Sequence, residues 1–150
     1  MLVTCLFLGA CSPGGMVSGN EKNASRQKIV FSPSGFTLYA EKADTEAKRQ
    51  KGLMGRRHLE DKEGMIFYFD QTDRHGFWMF NTLIPLAVVF INEELVVVDV
   101  QYMEPCSSTT PEGCPVYTAR KPSRMAIEIN QETARRYRIG VGDKIRLEGG

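Results

Sequence analysis

A chain of 150 residues with 42% hydrophobic and 25% charged side chains is long enough to bury one core, and it fits a single soluble domain. Its formal net charge of +1 supplies no strong field, so nucleic acid is not an expected partner. The basic pairs Lys48-Arg49, Arg56-Arg57 and Arg135-Arg136 stand among acidic neighbours and read as solvated surface.

Residues 1–10, MLVTCLFLGA, are apolar and uncharged but too short to span a bilayer. They run into Leu8-Gly9-Ala10-Cys11, which resembles a bacterial lipobox, where small residues precede the cysteine whose thiol receives a lipid. Residues 1–10 are therefore read as a lipoprotein-type signal segment, with the membrane as partner through a lipid on Cys11. The alternative is an apolar terminus that ends in cysteine by coincidence. No basic stretch precedes the apolar run, which leaves open a true start upstream of Met1. Ser12, rather than Asp, follows the cysteine, which favours a cell-envelope location on the periplasmic face of the outer membrane if the cell has two membranes. Residues 11–27, rich in Gly, Ser, Asn and charge, are expected to be a flexible tether to a single domain over 28–150.

Within that domain, residues 28–31 form a candidate first strand, Pro33-Ser34-Gly35 a turn, and residues 36–40 an alternating, half-buried strand. Asp44 suits a helix N-cap, with Glu46 in the first turn and Lys48, Arg49 and Lys51 toward the end, where Gly52 stops the helix. Three apolar blocks follow. Residues 64–70, 77–80 and 87–91 are rich in aromatic and β-branched residues and too short for buried helices, so each is read as a strand. Pro85 marks the start of the third, and Asn92-Glu93-Glu94 the hairpin into residues 95–100, with Asn able to take a left-handed backbone. Residues 124–129 alternate as a further strand, 131–137 form a helical turn, and 140–143 a tight turn into a last strand at 144–147. Successive strands that are apolar on both faces imply a closed barrel or a covered sheet. The fold class expected is α+β: a compact, mostly antiparallel, barrel-like domain with one or two short helices.

Of four cysteines, Cys5 would leave with the signal and Cys11 would carry lipid, which pairs Cys106 with Cys114 across a Pro/Ser/Thr-rich loop. An oxidising envelope would permit that disulfide. A metal site is the competing reading, but two cysteines with no histidine nearby make at most half of one.

The residues Arg49, Gly52-Leu53-Met54, Arg56, Leu59, Gly64-Met65, Phe67, Phe69, Phe77-Trp78-Met79, Asn81-Thr82, Ile84-Pro85-Leu86 and Phe90 together resemble the DUF192 family of small prokaryotic proteins. The similarity runs from about residue 36 to 147. The resemblance implies a compact α+β, barrel-like domain and brings no established activity. It also implies two departures, since relatives usually carry Lys at the position of Phe80 and Asp at that of Ala87.

Common catalytic signatures are absent: no G-x-S-x-G, H-E-x-x-H, P-loop or G-x-G-x-x-G opening a helix. His58 and His75 stand in charged segments, and Met54, Met65, Met79 and Met125 lie within or beside apolar runs as gap fillers, so no metal or cofactor is expected. Glu60, Asp61, Glu63, Asp70 and Asp73 offer carboxylates in acidic turns. What remains is a polar set inside apolar signature: Arg49, Arg56, Trp78, Asn81 and Thr82. A guanidinium can grip a carboxylate or phosphate, an indole offers a stacking face, and Asn with Thr adds donors and acceptors. These five either line a small pocket or brace the helix and a turn. The leading expectation is a monomeric, non-enzymatic envelope lipoprotein whose barrel binds a small anionic ligand or an envelope protein. The alternative is an enzyme acting on a cell-envelope saccharide or peptide through acidic residues and Arg49 or Arg56.

Overall fold

A computed structural model describes residues 25–149, so the expected signal segment, Cys11 and the expected tether up to residue 24 lie outside the described residues. The elements follow as β1 (Gln27–Ser32), β2 (Thr37–Ala43), α1 (Glu46–Lys51), β3 (Glu63–Asp73), β4 (Gly76–Trp78), β5 (Leu86–Ile91), β6 (Val97–Met103), a 3-10 turn (Pro111–Gly113), β7 (Val116–Thr118), β8 (Ser123–Asn130), α2 (Gln131–Arg136) and β9 (Lys144–Glu148). Seven strands form one sheet in the order β6-β5-β8-β3-β2-β1-β9, while β4 and β7 form a separate two-stranded ribbon. All pairs are antiparallel except β2 with β3. The edges meet at one end, where Ile145 N donates to Leu95 O (2.8 Å) and Val97 N to Asp143 O (2.8 Å). The sheet thus curls into a half-barrel, the α+β, barrel-like class expected.

Period-two alternation sends side chains to two separate cores. Ile29, Leu38, Ile66, Val89, Val97, Ile127 and Ile145 fill the inside of the curl, every strand of the sheet contributing, and Ala134 of α2 closes it. Met65, Phe67, Val88, Phe90, Met103 and Ala126 face the other way, packed with Leu53, Leu59, Phe77 and Met79. Because both faces are covered, all six residues of β5 are buried.

Local differences have local causes. Thr45, not Asp44, caps α1, its hydroxyl accepting from Lys48 N (3.3 Å), while the Asp44 carboxylate pairs with Lys48 Nζ (2.6 Å). Gly52 does end the helix, its N–H bonded to Lys48 O, at φ +47 and ψ −136, a region that side chains disfavour. In the hairpin after β5 the positive φ falls on Leu95, because Asn92 uses its Oδ1 to accept from Val96 N (2.9 Å). Arg26 and Gln27 belong to the domain rather than to the tether. Arg26 bridges Glu41 and Glu63, and Gln27 is buried within β1.

Cys106 and Cys114 form a disulfide with a Cα–Cα distance of 5.7 Å. It cinches the loop between β6 and β7, so that β7 leaves a short, tied segment to pair with β4 over the outer core.

Candidate functional site

The ribbon of β4 and β7 and the end of α1 do not close fully over the sheet. Between them lies a cleft of about 580 Å³ whose walls include Leu53, Phe67, Phe69, Phe77, Trp78 and Val116, with Glu46, Arg49, Lys51, Asp70 and His75 also contributing. Its floor is central strand β8. There Glu128 stands between Met65 of β3 and Val88 of β5, on the face it shares with Ala126. Glu128 is 4% exposed, and among the described residues no donor reaches its Oε2. Such an orphan is uncommon, since a buried polar atom without a partner costs about 1–3 kcal/mol. Burial alone pushes the Glu128 carboxyl up to about 8.

Gly52 explains how the carboxyl keeps open space beside it. A Cβ at that position would sit 3.6 Å from Glu128 Oε2 and 3.7 Å from Phe67 Cζ, so a side chain there would stand where a ligand atom could approach. The rings around the floor hold one another. Phe77 meets Phe67 edge to face at 4.9 Å and Phe69 at 6.3 Å, and Phe69 stacks on His75 at 3.5 Å.

Of the five residues singled out from sequence, the fold brings Arg49, Trp78 and Thr82 to this cleft. Arg49 is heavily engaged: Nη1 donates to Tyr68 O (2.8 Å), and Nη2 contacts Glu46 (3.2 Å) and Asp70 (3.6 Å). Trp78 is 40% exposed on the rim, and Thr82 is buried with its hydroxyl donating to Phe80 O (3.4 Å). Arg56 and Asn81 do not line it. Arg56 grips both oxygens of Glu41 (2.7 and 2.6 Å), joining the Arg26 cluster. Asn81 is exposed at φ +53, and its carbonyl accepts from Gly55 N (2.8 Å), so its role is to shape a turn.

Phe80 and Ala87 are also outside the cleft. Phe80 packs edge-on to Trp78 (6.4 Å), and Ala87 is fully buried with the inner core, on the face of β5 away from Glu128. The acidic turns are mostly consumed by pairing: Glu60 with His58, Asp61 with Arg136 and Thr133, Glu63 with Arg26. Asp70 alone of that set reaches the cleft. Among the described residues, no three His, Cys, Asp or Glu side chains group as metal ligands.

Glu128 escaped the sequence reading. Its signal was a carboxylate amid the apolar residues of Met125-Ala126-Ile127-Glu128-Ile129, but alternation assigns that position to a solvent face unless the sheet is known to be covered there.

A half-barrel sheet with a ribbon over its outer face and a buried carboxyl beneath defines a small α+β domain with a prepared cleft. The DUF192 family model, described as an uncharacterized ACR, matches residues 29–147, and the chain belongs to this family. Among solved structures it is similar to a protein from Sinorhizobium meliloti 1021 described as a candidate transcription regulator, with 29% identity and a TM-score of 0.70 over 81% of this chain and 92% of that one. It is likewise similar to a protein of unknown function from Novosphingobium aromaticivorans DSM 12444, with 34% identity and a TM-score of 0.67 over 81% of this chain and 83% of the other. A comparison with curated proteins finds no match.

Proposed function

We propose that this protein is an envelope lipoprotein, anchored through a lipid on Cys11, whose DUF192 domain binds a small molecule in the cleft above Glu128. The observation that carries the ligand reading is the buried Glu128 Oε2, lacking a donor among the described residues, on the floor of a cleft with aromatic walls. A pre-shaped apolar cleft with a few placed polar groups is the usual form of a small-molecule site. The address rests on the lipobox-like Leu8 to Cys11 and is supported by the disulfide, which suits an oxidising compartment. The Sinorhizobium description finds little support, since a net charge of +1 supplies no strong field toward nucleic acid and the two helices among the described residues are six residues each.

Trp78 is the single tryptophan and lines the cleft, so its emission reports on occupancy. The test is fluorescence titration and thermal shift with a panel of amino sugars, amino acids, short peptides and phosphate esters. It is run on wild type, on Val116→Phe in the cleft wall, and on Val141→Phe, an exposed control outside it. At least one compound should change Trp78 emission saturably in wild type and in Val141→Phe but not in Val116→Phe. Failure of every compound to distinguish the plugged variant from wild type sinks the ligand reading.

One observation favours a second reading. A carboxyl raised to about 8 within a cleft has the poise of a general acid or base, so an enzyme acting on an envelope saccharide or peptide would use Glu128, with Arg49 and Asp70 at the rim. Arg56 has no part in it. Turnover of a bound panel compound, lost in Glu128→Gln while binding persists, would select this reading.

A further inference from the structure

Resting on the reading of the cleft as a ligand site, we infer that its ligand is a cation: a protonated amine or guanidinium seated against the Glu128 carboxyl, carried on an apolar, ring-sized body that packs on the surrounding aromatic rings. Three features converge on this class. The floor atom without a partner is a carboxyl oxygen, and the carboxylate formed when it ionises only accepts, so the partner that would complete that form is a donor. The walls bring Phe67, Phe69, Phe77 and Trp78 to the same space, and ring faces attract cations and repel anions. The group best suited to receive an anion, Arg49, already donates to Tyr68 O and pairs with Glu46 and Asp70. An anion would meet an occupied guanidinium and a buried carboxyl that must keep its proton to receive it, with the exposed Lys51 on the rim in its favour.

Among the described residues, the surroundings of Glu128 supply no competing cation at the floor. Ala126 and Asn130 share its face of β8, Met65 and Val88 flank it on β3 and β5, and Gly52 lies above. The ionisable groups that border the cleft are Glu46, Arg49 and Lys51 of α1, Asp70 of β3, and His75 in the turn after it. Burial is the one cause that raises the carboxyl. A cation that enters and pairs with it restores the ionised form, and the proton leaves to solvent. Binding and ionisation are then linked, and affinity must rise with pH as the empty site gives up its proton.

The experiment uses the full-length protein in detergent and three probes of one shape: benzylamine, benzyl alcohol and benzoate. Trp78 fluorescence and the amide NMR shifts of Gly52 and Leu53 are followed from pH 6 to pH 8, a range in which benzylamine stays protonated. Benzylamine is expected to bind about tenfold or more tightly than benzyl alcohol, as a charge-assisted hydrogen bond outweighs a neutral one. Its affinity should rise about tenfold or more between those pH values. Glu128→Gln should remove both the preference and the pH dependence while leaving benzyl alcohol binding in place. Benzoate or benzyl alcohol binding as well as benzylamine, or a benzylamine affinity indifferent to pH in the wild type, overturns the cation inference and leaves the cleft a ligand site. No shift of Gly52 or Leu53 with any probe overturns both.

Discussion

Replacing Glu128 with glutamine removes the one side chain whose ionisation this fold opposes most, and the consequence for stability has a definite sign. The carboxyl is raised from 4.5 to about 8, so the folded state keeps a proton that the unfolded chain gives up. Its contribution is fully present below about pH 4.5 and is lost as pH rises to about 8, a decline on the order of 3–5 kcal/mol. Glu63 runs the other way. The Arg26 guanidinium bonded to it holds its carboxyl below the usual range, so that contribution is present above about pH 4.5 and fades in acid. Wild type should thus be most stable near pH 5 and lose urea midpoint toward pH 8, whereas Glu128→Gln should show little of the alkaline decline. Equal slopes for the two proteins between pH 5 and pH 8 would refute a sealed carboxyl. At this scale the sequence was partly legible. Arg49, Trp78 and Thr82 were singled out because polar groups stood out inside apolar signature, and the fold places them beside the cleft. Arg56 and Asn81, close to them in the chain, turn to Glu41 and to a turn contact, since proximity in sequence does not set side-chain direction.

Among the elements, β3 and β8 approach too closely for any side chain at Gly64. A Cβ there would lie 2.5 Å from Glu128 O and 3.1 Å from Ile129 Cγ2, so Gly64→Ala must push the two central strands apart. The expected cost is about 1–3 kcal/mol or more, read as a lower denaturation midpoint, together with weaker probe binding because the floor of the cleft moves. An alanine variant as stable as wild type would contradict this register. The disulfide acts farther out. Closing the short loop between Cys106 and Cys114 restricts the unfolded chain, and Cys106→Ser with Cys114→Ser should lower stability by about 2–3 kcal/mol. Folded protein with two titratable thiols at these positions after oxidative folding would count against the bridge. Most strands were readable because β-branched and aromatic runs carry their own signal, as a continuous apolar block in β5 and as alternation in β8. The three-residue β7 was not, since Val116-Tyr117-Thr118 is too short to show a period and owes its conformation to β4. The parallel pairing of β2 with β3 was equally hidden, as partner choice depends on how residues 44–62 cross over rather than on either strand.

At the scale of the whole molecule, the proposed anchor and the proposed cleft place separate demands on the chain, and one variant tests the first without touching the second. A single acyl chain holds a protein to a membrane only marginally, each buried CH₂ contributing about 0.8 kcal/mol, whereas a lipoprotein carrying several chains should stay bound through washing. In sequence Cys11 lies well before Gln27, where β1 begins, so Cys11→Ser changes no residue that lines the cleft. Cell-derived wild type should partition into the detergent phase, while Cys11→Ser should remain in the aqueous phase with the same melting temperature and the same probe affinities. The state of Cys106 and Cys114 gives an independent reading of compartment, since a disulfide trapped at lysis is expected in the envelope and two free thiols in a reducing cytosol. Loss of detergent partitioning with the disulfide retained would support a lipid on Cys11 of an exported protein. Equal partitioning of wild type and Cys11→Ser would refute lipidation, and thiols found reduced at lysis would refute the envelope address itself.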